Sequence, residues 1–323
     1  MIKKISMLAA AVGFTVAATG AFATYPDKPI SVVVPFAAGG PTDVVARSLA
    51  QAMGTQLKGS MIVENVGGAG GTIGAGKVAR APGDGYTLLF HHIGMSTAPA
   101  LYRKLDFKPL EDFIPIGAVV DVPMTIIAKP TMAPANAKDL LAFVRANKDK
   151  INLANAGVGS ASHLCGLLLQ NAMKTDLTTV PFSGTGPAMT ALLGGNVDLM
   201  CDQTTNTSGQ IKGGKVKAYA VTSKAKLANF PELPPLGAEL PGFEVGVWHI
   251  MYAPKNTPAD VVTKLQSALQ AAMKDPGFAA KMKDLGAEMM PADRQTSAGA
   301  KALLTSEIAK WSPIIQAAKA YAD

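Results

Sequence analysis

Pro35-Phe36-Ala37-Ala38-Gly39-Gly40-Pro41-Thr42-Asp43 is the stretch on which the reading of this chain turns. It follows the β-prone run Ser31-Val32-Val33-Val34 and precedes Val44, Val45, Leu49 and Ala52, apolar positions at helical spacing. That order spells a strand, a glycine turn and a helix. Gly39 and Gly40 allow a tight turn and close approach to a guest, and Pro41 suits a first helical turn, where its missing N–H is not needed. The turn is expected to aim free backbone N–H groups, at the positive end of a helix dipole, into the space above the strand. Such a place holds anions.

A second copy stands in the other half of the chain, at Pro181-Phe182-Ser183-Gly184-Thr185-Gly186-Pro187. Pro, Phe, Gly and Pro recur at matching offsets, again after a short β-prone run (Leu177 to Val180) and before Met189, Leu192 and Leu193. Two readings compete. Either two ordinary αβ turns share residues that all such turns favour, or two similar lobes face each other across a cleft.

Working outward to the start, Lys3 and Lys4 precede an apolar run from Met7 to Ala18, and Ala21-Phe22-Ala23 supplies a small-x-small cleavage pattern. Residues 1–23 are expected to be an export signal cleaved after Ala23. The longest later apolar segment, Ile114 to Ala128, is broken by Pro115, Asp121 and Pro123, so the mature protein is expected to be soluble. The formal charge of +7 becomes +5 once Lys3 and Lys4 leave. With 6% aromatic residues and no Lys/Arg cluster, this is not a nucleic-acid surface; it favours anionic solutes instead. A chain of this length buries a large core and forms two domains. The two cysteines, Cys165 and Cys201, leave a disulfide and buried thiols as alternatives.

The periodicity predicts strands at 30–35, 61–65 and 86–91, with helices at 42–53 and 72–80, then extended chain through 113–128. Helices at 138–147, 160–173, 186–194 and 206–212 alternate with strands at 151–155, 177–181, 197–201 and 216–222. Residues 243–252 read as extended, and 258–273, 276–285 and 294–320 as amphipathic helix. Strands separated by helices mean parallel αβ layers.

Several motifs imitate catalytic sites. Gly71-Thr72-Ile73-Gly74-Ala75-Gly76-Lys77-Val78 nearly spells a P-loop, but Val78 lacks the hydroxyl that magnesium needs and Lys77 falls inside the helix. Gly94-Met95-Ser96-Thr97-Ala98 resembles a nucleophile elbow without its last glycine, which keeps a hydrolase using Ser96 as a rival; a helix cap or loop hydroxyl is the simpler use of that serine. His91 and His92 are adjacent, so on a straight strand they face opposite ways and cannot share a metal; one of them suits a donor role at a strand's C-terminal end. His163 lies on a first helical turn, where it is expected to be neutral; a core or solvent-facing role competes. His249, beside Trp248, reads as structural. Asp43 is expected to hold its turn in shape, and Asp202 to orient a loop or accept a bond from a polar ligand. No metal or cofactor is expected.

Tyr25-Pro26-Asp27-Lys28-Pro29-Ile30, Val34-Pro35-Phe36, Gly39-Gly40-Pro41-Thr42-Asp43, Val63-Glu64-Asn65 and Gly68-Ala69-Gly70-Gly71-Thr72-Ile73-Gly74-Ala75 together resemble the Bug-type solute-binding receptors of tripartite tricarboxylate transporters. The likeness runs on through Asp84-Gly85-Tyr86, Ser162-His163-Leu164, Val180-Pro181-Phe182, Leu192-Leu193-Gly194-Gly195 and Pro241-Gly242-Phe243, covering the whole mature chain. The resemblance implies an α/β, two-lobe, type II-like Venus-flytrap binding protein with the ligand enclosed between lobes. One lobe would comprise 24–122 and 245–323, the other 123–244. It implies a non-catalytic, monomeric receptor in the periplasm of a Gram-negative bacterium, handing a small carboxylate to large and small integral-membrane subunits, with no nucleic-acid partner. A sensor that presents its ligand to a signalling protein is the rival among binding proteins.

By the same resemblance the ligand would be held at the turn Phe36 to Thr42, closed on by facing turns at 156–163, 182–185 and 202–204; Phe36, Ala38, Gly39, Gly40, Thr42 and Asp43 are expected on one side, with His91, His92 or His163 for a second carboxylate. Ala156, Gly159, Ser160, His163, Phe182, Ser183, Gly184, Asp202 and Thr204 would face it from the other. The chain departs from the family pattern at Phe90-His91-His92 and at Gly184-Thr185-Gly186, where the far end of the ligand should lie. A dicarboxylate, aliphatic or aromatic, is therefore expected. Terephthalate is a candidate, with Phe36, Phe182 and Phe90 placed to sandwich a flat ring.

Overall fold

A computed structural model describes residues 25–317 and 321–322. The expected export signal, 1–23, and its cleavage point lie outside the described residues. The chain begins with β1 (Ile30–Val34), α1 (Pro41–Leu57), β2 (Met61–Asn65), α2 (Thr72–Ala79), β3 (Thr87–His92) and α3 (Gly94–Leu101). The long β4 (Phe113–Ala128) leads to α4 (Ala137–Ala146), β5 (Asn152–Asn155), α5 (Ala161–Met173), β6 (Thr178–Pro181) and α6 (Thr185–Leu193). Then come β7 (Leu199–Gln203), α7 (Thr204–Lys212) and β8 (Lys217–Val221). The chain returns through β9 (Gly246–Pro254) and closes with α8 (Ala259–Ala272), α9 (Pro276–Asp284), β10 (Glu288–Met289) and α10 (Ser297–Ala317).

Strand order is β2-β1-β3-β9-β4-β7-β5-β6, with β8 and β10 also paired to β4. β1 lies parallel to β2 and β3, and β5 parallel to β6 and β7, as βαβ crossovers require. β4 joins the two arrays. Residues 113–123 run antiparallel beside β9, whereas residues 124–128 pair with β7 and β8. Every β4 position except Ile114 and Asp121 is fully buried, so this strand is apolar on both faces.

Local chemistry explains where the helices start. Asn136 accepts the Asp139 N–H ahead of α4, Ser160 the His163 N–H ahead of α5, and Asp275 the Phe278 N–H ahead of α9. Pro41 and Pro276 occupy first helical turns. The outstanding difference from expectation is α3, where sequence reading places only an elbow-like turn or cap. Gly94 and Pro99 lower the local helix propensity, yet Met95, Ala98 and Leu101 are buried, and packing against α10 overrides that propensity. Cys165 of α5 and Cys201 of β7 form a disulfide, with Cα atoms 6.1 Å apart.

Candidate functional site

The two Pro-Phe-Gly turns meet. A side-chain carbon placed on Gly40 would lie 3.1 Å from the Ala37 carbonyl and 3.4 Å from Thr185 Oγ1; one placed on Gly184 would lie 3.3 Å from Ala37 Cβ. Between them is a cavity of about 30 Å³, room for about two waters. Four helices begin at its wall: α1 at Pro41 and Thr42, α5 at Ala161 and Ser162, α6 at Thr185, and α7 just after Gln203. First-turn amides have no acceptor within their own helix. Among the described residues, the N–H groups of Thr42, Ala161, Ser162 and Thr185 find none elsewhere. Four dipole ends therefore point at one small space, and no Lys or Arg lines it.

Gly39 and Gly40 themselves do not supply the free donors expected of them. The Gly39 N–H donates to Asp43 Oδ2 at 2.9 Å, and the Gly40 N–H to the Ala37 carbonyl at 3.2 Å. Gly39 adopts φ +75°, which is what its glycine is for. Asp43 also accepts from Arg47 Nε and Asn65 Nδ2, each at 2.9 Å. Burial alone would raise its pKa, but the Arg47 guanidinium and the bonds from Gly39 and Asn65 outweigh it and hold the carboxyl below the usual range. Asp43 is a turn-holder facing away from the cavity, and Arg47 is its half-exposed partner.

Asp202 is the opposite case. It lines the cavity, is 1% exposed, and accepts from Asn206 Nδ2 at 2.6 Å. Burial pushes its pKa up to about 7, against the bonds from Asn206 and the Gln203 amide. Beside it, Ser162 Oγ and Gln203 Oε1 are buried with no hydrogen-bond partner, as is Thr205 Oγ1 on the next turn. Polar atoms orphaned at a cavity wall are groups that a ligand satisfies.

His92, not His91, reaches the cavity. The Gly94 N–H donates to His92 Nδ1 at 3.0 Å, so the ring hydrogen sits on Nε2. His91 Nδ1 accepts the His92 N–H, and its Nε2 lies 2.8 Å from where a carbon on Gly71 would stand, behind the wall. The two rings do not face opposite ways. They curl to 5.0 Å apart, because β3 ends and α3 begins within two residues. His249 Nε2 meets Thr42 Oγ1 at 3.2 Å. Burial pushes His91 and His249 down to about 3 and His92 in the same direction, so the imidazoles offer bonds without charge.

Of the residues expected at the ligand, Phe36, Gly40, Thr42, Ala156, Ser160, Gly184 and Asp202 line the cavity. Ala38, Gly39, Asp43, His91, Gly159, His163, Phe182, Ser183 and Thr204 stand behind or beside it. His163 accepts the Gly159 N–H at 3.3 Å, and Thr204 donates to the Gly286 carbonyl at 3.2 Å. Ala37, Pro41, His92, Ala161, Ser162, Thr185 and Gln203 line it too, each from a turn or strand end expected at the ligand. The signal for most of them was one step from the cap: the residues that follow an N-cap carry the unused amides. The aromatic sandwich is absent. Phe36 stacks on His92 at 4.2 Å, but Phe90 is fully buried against His249 and Phe182 packs into the apolar cluster under β7.

Ser96 is fully buried and donates to the Ile93 carbonyl at 2.7 Å, so it presents no nucleophile. Lys77 is bonded to Glu64 on the outer face. Among the described residues no group of His, Cys, Asp and Glu is arranged to hold a metal ion, and no helix is long and apolar enough to cross a membrane. A larger groove of about 410 Å³ beside Leu164, Leu168, Trp311 and Ile314 is apolar and lacks converging donors.

Comparison with known proteins gives a consistent result. A family profile described as tripartite tricarboxylate transporter family receptor matches residues 45–319. The structure of the periplasmic binding protein BugD superposes with a TM-score of 0.89 at 52% identity, covering 92% of this chain and 99% of that one. MatC from Rhodopseudomonas palustris with bound malate gives 0.86 at 38% identity, covering 90% and 100%. A further R. palustris protein, solved with adipate, gives 0.87 at 27% identity, covering 91% and 98%.

Proposed function

Because this chain belongs to the tripartite tricarboxylate transporter receptor family, a family of periplasmic solute-binding proteins and not of enzymes, we propose that it captures a small aliphatic dicarboxylate. In this reading it is exported with its leader cleaved after Ala23, acts as a monomer, and delivers its ligand to large and small membrane subunits. Residues 24–122 and 245–323 form one lobe and 123–244 the other, and they part by bending where β4 changes partners. A dicarboxylate exceeds the 30 Å³ between the walls, so the lobes must part to admit it and close on it less tightly than they stand here.

The observation that carries the reading is the convergence of four helix N-termini on a cavity without a cation. One ligand carboxylate accepts from the amides of Thr42, Ala161, Ser162 and Thr185, with the Ser162 hydroxyl as a further donor. His92 Nε2 donates from the opposite wall. Malate and adipate in two relatives favour an aliphatic acid; Phe90 is buried and half-buried Phe182 packs against an apolar cluster, so neither lines the cavity beside Phe36.

The test is a thermal-shift and calorimetry series over mono-, di- and tricarboxylates that includes malate, adipate and terephthalate. Binding to the native state alone raises the melting temperature. Aliphatic dicarboxylates are expected to stabilise most and to be recovered unchanged. Stabilisation by terephthalate alone would overturn the aliphatic assignment, and no stabilisation by any acid would overturn the carboxylate assignment.

A further inference from the structure

Among the described residues, Asp202 is the sole carboxyl on a wall otherwise built to attract carboxylates. Its surroundings are neutral on every side. From α7, Asn206 Nδ2 donates to its Oδ2, and from β4 the Thr125 hydroxyl donates to its backbone carbonyl at 3.2 Å. From α5 comes Ser162, from α6 Thr185, and from β3 His92, kept neutral by burial. From α1 comes Thr42, held by His249, itself neutral. Neither Asp43 nor Arg47 reaches the cavity; they satisfy each other behind the α1 turn. A ligand carboxylate beside an ionised Asp202 would therefore place two like charges in a dry space with no cation to separate them. One proton between them removes the repulsion and makes Asp202 a strong donor.

We propose that Asp202 enters the closed complex as the neutral acid and donates its hydrogen to the bound carboxylate, so that each ligand is captured together with one proton. This rests on the dicarboxylate-receptor reading above. Burial already holds Asp202 at about 7, and the charge of a bound carboxylate raises it further. The proton comes from solvent as the cleft shuts. The sign follows: affinity is highest where the proton is already present and falls by up to about tenfold per pH unit between the pKa of free Asp202, about 7, and the higher pKa of the complex.

The experiment is isothermal titration of the full chain with malate and with adipate near pH 7.5, in two buffers of different ionisation enthalpy, then across pH 6 to 9. The wild-type protein is expected to take up between about half a proton and one proton per ligand. Asp202→Asn, whose amide is a fixed donor, is expected to bind with no uptake and with nearly constant affinity over that range. Wild-type binding without uptake, or affinity that rises with pH, would make Asp202 an ionised acceptor and overturn the proposal. Uptake that persists in Asp202→Asn would move the proton elsewhere and overturn it as well. Should that variant fail to fold, the wild-type buffer comparison decides by itself. Binding without proton uptake leaves the receptor reading intact, whereas no heat with either acid at any pH removes both.

Discussion

Asp43 lies in the first turn of α1 and Asp202 one residue before the end of β7, each beside a helix N-terminus, yet they behave oppositely. Asp43 is surrounded by donors, with Arg47 Nε, Asn65 Nδ2 and the Gly39 amide all within 2.9 Å. Asp202 has Asn206 and the Gln203 amide but no cation. The first carboxyl is held down and spent on shaping the backbone. The second is pushed up to about 7 and faces the cavity. Position beside a helix N-terminus does not decide what an aspartate does; the partners that reach it do.

The two walls differ in the same sense. The α1 turn contributes one helix end, braced by its ion pair, and the other wall contributes three, braced by the Cys165–Cys201 disulfide between α5 and β7. The sharpest break in this comparison is at the meeting point of the turns. Gly40→Leu puts carbon against the Ala37 carbonyl and Thr185, so closure fails. Calorimetry should find binding of a stabilising acid weakened at least ~1000-fold, which corresponds to about 4 kcal/mol. Binding within tenfold of wild type would show that the corners need not meet.

Reducing the disulfide comes next. It closes a loop of 36 residues, so its loss should cost about 3–4 kcal/mol of stability, read as a lower denaturant midpoint. An unchanged midpoint would mean that the second wall is held by packing alone.

The aspartates then separate by pH. Asp43→Ala should destabilise by about 2 kcal/mol at pH 7, through loss of its buried bonds. Its carboxyl is depressed, so that stability is present above the unfolded pKa of about 4 and is lost as pH falls through the lower folded value. The difference from wild type should therefore shrink in acid. Asp202 is raised, so its folded-state advantage is full below pH 4 and is lost as pH rises to about 7. Asp202→Asn should leave stability unchanged at pH 3 and raise it at pH 8 by about 2–4 kcal/mol. Denaturant melts at the two pH values check both, and parallel profiles for the two variants would erase the distinction. The smallest effect belongs to Arg47→Ala, which should alter ligand affinity by no more than about threefold because the guanidinium stays outside the cavity. A loss comparable to that of Gly40→Leu would make Arg47 the anion's counterion.

The strand–turn–helix order at Pro35–Asp43 was legible because every signal in it is local: β-branched residues, two glycines, a proline at the right place and a helical apolar period. Long-range geometry was not. Whether His91 or His92 faces the ligand depends on how β3 curls into α3, and α3 itself was hidden by Gly94 and Pro99, which read as breakers until their apolar neighbours are seen buried. The glycine amides looked free because nothing local says that Asp43 folds back onto Gly39. Phe90 and Phe182 looked available because composition cannot tell a lining ring from a core ring. Ser162, Thr185 and Gln203 lie within the turns expected to face the ligand, and only the helix starts show which residues of those turns line the cavity.

The most direct measurement is a crystal structure of the closed protein with malate or adipate bound. One carboxylate should sit within about 3 Å of the amides of Thr42, Ala161, Ser162 and Thr185, with no Lys or Arg in reach. A carboxylate paired with a cationic side chain, or lodged in the groove beside Trp311, would contradict the account.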